Sequence, residues 1–443
     1  MMTLAASTAA LAQEVYSADQ IRQLAVEHNI RMRTANNAYL QAKEQQREAF
    51  TNYFPQVSAT GIGFRSNKDM LKAKIHTSDL LAPQTMQVLS SVLPTEALGQ
   101  IPPAFGMGML DKGILGSVTA VQPVFAGGQI VNGNKLAKVG VEVGRLQQLT
   151  SRNEVVLTAE KYYWQIVTLK EKRRTLDAVS NMLAALEKDA EAAVKAGVAM
   201  RNDLLQVQLK QNEIENNRIK LDNALRLSKM VLAQYIGKDG QDIDVSGCAD
   251  PQQMPDYPAG LKADPEQAVA TTPEYRLLQK NVEAKDLQRR MELGKRLPAV
   301  GVGAGYTYTD MLRSRNNFGM VFATVSIPIS DWWGGSHAVR RRQIAARNAR
   351  EQLEDNMQLL KINMLKNWND VDDAYKQLAL AKKGIEQSEE NLRLNRDFYH
   401  AGTVKMSDLL DAQRLFQQTR DQYVDAFAQL QIKMLEYRQS IGQ

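Results

Sequence analysis

Apolar residues recur every seven positions over long stretches of this chain. Val155, Tyr162, Leu169, Leu176, Leu183 and Ala190 form one series. Met357, Met364, Val371, Leu378, Ile385 and Leu392 form a second, and Leu409, Phe416, Tyr423, Leu430 and Tyr437 a third. A sustained seven-residue period marks helices that supercoil left-handedly against neighbours. Proline punctuation agrees: none occurs from Val124 to Asp250 or from Ile329 to Gln443. Both stretches are charged and rich in Ala, Leu and Gln, which favour helix. From Gly128 to Lys195 the pattern predicts one helix of about 100 Å, at about 1.5 Å per residue. Ordinary globular helices are far shorter.

A two-residue period takes over elsewhere. In Ala299 to Tyr308, the residues Val300, Val302, Ala304, Tyr306 and Tyr308 share one face, and Ala299, Gly301, Gly303, Gly305 and Thr307 the other. Phe318 to Ile329 predicts a second strand, and Val57 to Arg65 and Ser117 to Phe125 two more. Tilted strands of roughly 9–11 residues match the core of a bilayer. Four strands leave two open edges, which lipid does not tolerate. If these strands sit in a membrane, several chains must share one barrel.

The order of elements is duplicated. Ala25 to Val57 aligns without a gap on Ala268 to Val300, so that Pro55 matches Pro298. In a second register Pro123 matches Pro328, Ala196-Gly197 matches Ala401-Gly402, Asp203-Leu204-Leu205 matches Asp408-Leu409-Leu410, and Ile236-Gly237 matches Ile441-Gly442. The change of register places an insertion between Pro55 and Pro123, at about residues 66–112, broken by Pro and Gly and moderately apolar. Each half reads as a helix, a strand pair, and two long helices joined by a turn. The expected layout is a first repeat over 13–237, with strands at about 56–65 and 117–125 and a hairpin over 128–237. A Pro- and Asp-rich connector follows over 238–263. The second repeat covers 264–443, with strands at about 299–309 and 318–329 and a hairpin over 334–441. Ser17 with Gln20 predicts a capping box, and Asp264 before Pro265 an N-cap with proline at N1. Pro123, Gly127 and Gly128 in one half, and Pro328, Gly334 and Gly335 in the other, are the expected strand-to-helix turns.

Composition narrows the function. Hydrophobic residues make up 44% of the 443 and mean hydropathy is −0.38, with no apolar run of membrane-helix length. A net charge of +6 is small against 55 basic and 49 acidic residues. Its densest spots, Arg340-Arg341-Arg342 and Lys170 to Arg174, lie inside helical patterns, so no nucleic acid is expected as a partner. A single cysteine, Cys248, supports neither a disulfide framework nor a cysteine metal site. His28, His76, His337 and His400 are far apart. No catalytic triad, phosphate loop or metal cluster can be read, so neither a catalytic residue nor a cofactor is expected. Methionines at helical spacing, such as Met357 and Met364, read as packing. At the start, Ala10-Leu11-Ala12 has the small-x-small form of a signal-peptidase site, so residues 1–12 read as the tail of a secretory signal.

Taken together, these features resemble the TolC family of outer-membrane efflux and secretion channels. The carriers are Tyr53-Phe54-Pro55 and Leu297-Pro298 before the strands, Gln122-Pro123-Val124-Phe125 with Gly127-Gly128, and the two Ala-Gly…Asp-Leu-Leu turns. The resemblance implies a mainly α fold with a small transmembrane β portion: a trimeric 12-stranded β-barrel continued by a periplasmic α-helical barrel. It implies a homotrimer in outer-membrane lipid, working with a periplasmic membrane-fusion adaptor and an inner-membrane RND or ABC pump, and no enzyme activity.

The same resemblance puts the inner entrance at the hairpin tips. Tyr399, Asp408 and Asp411, with Asp203 of the first tip, map onto residues that close or line it. Asp408 and Asp411, three apart, share a helix face, and threefold symmetry would make them a ring of six carboxylates that attracts cations. Ala196, Gly197, Val198, Ala401, Gly402 and Thr403 map onto the tips that meet the adaptor. The family's gate arginine falls on Val404, with Lys405 beside it. Another reading of these acids is local: first-turn carboxylates favoured by the helix dipole, with Asn202 or Ser407 as N-cap. The expected cargo is small toxic compounds. A type I protein-secretion duct or a heavy-metal exporter stays open, as do, outside the channel class, a periplasmic adaptor and a coiled-coil scaffold.

Overall fold

The computed structural model describes residues 14–68, 70, 72–76, 85, 88, 104–108, 110–311, 314–329 and 331–443. The expected signal segment 1–12 and much of the insertion 66–112 lie outside the described residues. The chain divides into two compact units. A helical unit takes residues up to Glu44, 139–284 and 346–443, and a sheet unit takes 45–138 and 285–345.

The elements run β1 (Glu14–Tyr16), α1 (Ala18–His28), α2 (Ile30–Thr51), β2 (Gln56–Arg65), β3 (Lys72–His76), β4 (Ala104–Gly108), β5 (Lys112–Ala126), α3 (Gln129–Lys195), α4 (Arg201–Tyr235) and β6 (Ile243–Val245). The second half adds α5 (Pro265–Ala268), α6 (Pro273–Gly294), β7 (Ala299–Met311), β8 (Ser314–Ser326), α7 (Asp331–His400) and α8 (Met406–Ser440). Helix, strand pair and long hairpin thus occur twice in the same order. No described helix is long and apolar enough to cross a membrane.

The sheet unit holds an antiparallel sheet in the order β2-β5-β7-β8. Register pairs Gln56 with Val121 and Arg65 with Lys112, and continues from β5 into β7 and from β7 into β8. Directly opposed residues share a face, so the register sorts the side chains. Val57, Ala59, Val118, Ala120, Val302, Ala304, Tyr306, Val321 and Ala323 lie on one face. Ser58, Thr60, Ser117, Thr119 and Thr307 lie on the other, where Ser58 and Thr119 hydroxyls bond at 3.0 Å and Ser117 and Thr307 at 3.2 Å. The apolar face is exposed, reaching 87% at Val321. Neither β2 nor β8 has a second partner among the described strands.

Three positions differ from the sequence expectation. Pro123 lies inside β5, where the register with β7 shifts between Pro123 and Phe125. Proline has no N–H for the ladder, and a bulge absorbs the loss. The Gln122 amide donates there to the carbonyls of Tyr53, at 2.9 Å, and Pro123, at 3.1 Å. Gly334 and Gly335 lie within α7, which begins at Asp331, so they are not the turn. An acidic residue suits the positive end of a helix and lets it start early. Gly335 is small for packing instead: an added Cβ would come within 2.9 Å of Arg296 Nε. The third difference is that β5 begins at Lys112, inside the expected insertion, which also contains the pair β3–β4. Gly127 and Gly128 do make the turn, at φ +59° and +73°, and a Cβ on Gly127 would fall 2.0 Å from the Gly294 carbonyl oxygen. Only glycine permits that backbone contact.

In the helical unit each half has its own core. Ile21 and Ala25 of α1 pack with Val155, Tyr163, Ile166, Leu232, Ile236 and Ile243. Met364, Val371 and Leu378 of α7 pack with Tyr423, Leu430, Tyr437 and Ile441. Most members of the seven-residue series are buried, while Tyr162, Leu169, Met357, Leu392 and Phe416 are half-buried. The hairpins end alike: Gly237 and Gly442 hold positive φ, and Lys238 N–H and Gln443 N–H reach back to the carbonyls of Ala233 and Arg438.

Candidate functional site at the hairpin tips

Both tips are built by one local device. At the end of α3, Gly197 takes φ +75°, its N–H bonds the Val194 carbonyl at 3.1 Å, and Val198 N–H bonds the Ala193 carbonyl at 3.0 Å. At the end of α7, Gly402 takes φ +73°, its N–H bonds Tyr399 at 2.9 Å, and Thr403 N–H bonds Phe398 at 2.9 Å. This is the paired bond pattern of a Schellman helix end, and its left-handed residue favours glycine. Ala196, Gly197, Val198, Ala401, Gly402 and Thr403 are all exposed.

The next helices start three residues later, and their N-caps are not Asn202 or Ser407. Met200 and Lys405 occupy the cap positions, and their backbone N–H groups donate to Asp203 Oδ2 (3.2 Å) and Asp408 Oδ2 (3.3 Å). The acid at the third helical position reaches back to the cap, which is one half of a capping box. Asn202 and Ser407 are inside the first turn instead, and Ser407 Oγ donates to Asp408 Oδ1 at 3.3 Å.

The tips meet over an apolar cluster. Met406 and Leu409 of α8 are buried with Leu183, Leu186, Ala190, Val207 and Ile214 of the first hairpin, and Leu204 and Tyr399 pack against them. Beside this cluster lies a cleft of about 710 Å³. It is lined from one tip by Asp189, Met200, Asn202, Asp203 and Gln206, and from the other by Tyr399, His400, Val404, Lys405 and Ser407. Burial raises the Tyr399 phenol above its ordinary value, and the charges of Asp203 and Asp189 raise it further.

The structure therefore brings Tyr399 and Asp203 together across the tips. Asp408 and Asp411 do not line this cleft. Asp408 is tied to its own helix start, and Asp411 is exposed, with Arg414 Nε 3.5 Å away. Asp189, Gln206 and His400 were missed in the sequence. Asp189 had a signal, since it stands two turns before Gly197 on the same helix side. Among the described residues no group of three or more His, Cys, Asp or Glu could hold a metal.

Residues 265–443 match the family described as outer membrane efflux protein. No curated protein sequence matches the chain. Among solved structures the chain is similar to CusC, studied for its folding and transmembrane channel formation, with 13% identity and a TM-score of 0.77 over 96% of this chain and 92% of that one. It is similar to the outer-membrane channel OprN, with 14% identity and a TM-score of 0.73 over 96% and 89%. It is also similar to the outer membrane protein VceC of Vibrio cholerae, with 12% identity and a TM-score of 0.70 over 96% of each. The chain thus has the fold of outer-membrane channels over nearly its whole length. Its C-terminal portion is similar to the outer membrane efflux protein family, as the TolC-family resemblance implied.

Proposed function

We propose that the chain is one subunit of a trimeric outer-membrane duct, a passive exit for small toxic compounds and not an enzyme. The observation that carries this is the open-edged four-stranded sheet with one exposed apolar face and a second, mixed face where Ser, Thr and Gly alternate with apolar residues such as Leu115, Phe318 and Met320. Such a sheet is stable in lipid only when its edges are closed, and three copies make a 12-stranded barrel. Along α4, exposed Leu209, Ile219, Leu227 and Met230 supply apolar surface for a second copy. An inner-membrane RND or ABC pump acts through a periplasmic adaptor. The exposed glycine turns at Ala196–Val198 and Ala401–Thr403 are where that adaptor docks, and Tyr399, Asp203, Asp408 and Asp411 form the constriction behind them. With Val404 at the family's arginine position, closure rests on the Tyr399–Asp203 cleft and the buried Met406 and Leu409 rather than on a charged lock.

Mass measurement of the detergent-extracted protein tests the assembly: a trimer is expected, and a monomer overturns the reading. In a planar bilayer, replacing Asp408 and Asp411 by Ala should reduce block by multivalent cations. Unchanged block removes the acidic ring while leaving the duct.

A further inference from the structure

Within the helical unit, α3 and α8 meet along a polar seam that the channel reading does not use. Lys161 Nζ lies 2.9 Å from Glu436 Oε1, and Lys172 Nζ lies 2.8 Å from Asp425 Oδ1. Each joins the first hairpin to the second. One turn before Asp425 on the same face of α8 stands Asp421. Its Oδ1 is buried and has no hydrogen-bond partner. Two turns further back on that face, Gln413 is fully buried, and neither polar atom of its amide has a partner. The seam thus presents two carboxylates to one ammonium, which pairs with Asp425 and leaves Asp421 Oδ1 without a donor.

We propose that Asp421 is a proton-operated latch between the two hairpins. Protonated, it leaves Lys172 to Asp425 and lets α3 and α8 stay closed. Ionised, its buried Oδ1 has no donor, and relief comes by drawing Lys172 off Asp425 or by admitting water, either of which loosens the seam. The charged groups acting on Asp421 are Lys172 from α3, and Arg420 and Asp425 on α8 itself. On another side of α8, Thr419 meets neutral groups of α7: its Oγ1 lies 2.6 Å from Ser388 Oγ, and its methyl faces Gly384. Burial is the main influence and pushes the carboxyl up to about 6. Lys172 pulls it down, Asp425 pushes it up and Arg420 pulls it down. A carboxyl raised in the closed state favours closure at low pH, and that contribution is lost as pH rises through about 6.

Hydrogen exchange of the full chain, corrected for intrinsic rate and followed from about pH 5 to 8 around that value, tests the latch. Peptides spanning 165–180 and 415–430 should lose protection several-fold as pH rises through about 6. Asp421→Asn should remove that dependence and hold protection at the low-pH level. A flat wild-type profile, or an Asn variant that keeps the wild-type dependence, overturns the proposal. Lys172→Met provides a second variant that keeps Asp421: without its cation the transition should move to higher pH, and an unmoved transition overturns the proposal. Exchange needs no conducting pore, so its failure is distinct from failure of the channel reading.

Discussion

The turn after α3 and the turn after α7 share a glycine at positive φ, the same paired backbone bonds and an aspartate folded back on the next helix cap. They differ in what lies behind them. In the second, Met406 and Leu409 are 1% and 2% exposed inside the cluster that joins the hairpins, whereas Arg201, the counterpart of Met406, is exposed. Leu204, the counterpart of Leu409, is only partly buried. Local sequence builds both turns equally, and burial makes one an anchor and the other a free surface. The second tip is the element whose movement would have to break packing.

The largest effect that sharpens this contrast is at the leucines. Leu409→Ala should cost about 2–5 kcal/mol, the usual loss for a buried leucine, and Leu204→Ala clearly less, read as denaturant-induced unfolding of the two variants. Equal losses would show that the tips are anchored alike. Next come the glycines. Gly197→Ala and Gly402→Ala should each cost about 1–2 kcal/mol and by the same amount, because both hold φ near +75° and neither Cβ would meet a neighbour. A large inequality in thermal unfolding would mean that tertiary contacts, not backbone, govern one of the turns.

The smallest effect separates the aspartates. Asp203→Ala and Asp408→Ala should each lose about 1 kcal/mol of helix-start stability, seen as faster amide exchange in the first turn. Only Asp203→Ala should also lower the Tyr399 phenol toward its ordinary value, since Asp203 is one of the charges that raise it. Because the folded state holds that proton more tightly, the tyrosine's contribution is full below its ordinary value and is lost as pH rises through the raised one. Ultraviolet titration of phenolate in the two variants distinguishes them, and identical curves would dissolve the Tyr399–Asp203 pairing.

The duplicated helix, strand pair and hairpin were legible because their signals are local and periodic. Ser17 with Gln20 and Asp264 with Pro265 formed the caps that their spacing implied. The seven-residue series named Val155, Leu183, Val371, Leu378 and Leu430, all buried. Gly334-Gly335 was misplaced because a glycine pair reads as a turn, while the helix is decided by Asp331 upstream and by the room that Arg296 leaves. Pro123 fell inside the expected strand 117–125 but was also taken as a turn residue, and a bulge keeps it in the strand. Asp203 and Asp408 were legible as first-turn acids, but their cap partners were not.

By itself, then, the sequence determined the elements, their duplication and the residues of each tip, because helix and strand periods and glycine conformations are properties of neighbouring residues. Tertiary structure alone decided that Tyr399 faces Asp203 rather than Asp408 or Asp411, that Leu409 is anchored where Leu204 is half free, and that Asp421 is half-buried one turn from the Lys172–Asp425 pair. These juxtapositions join residues far apart in the chain, and only the packing of one hairpin on the other brings them together.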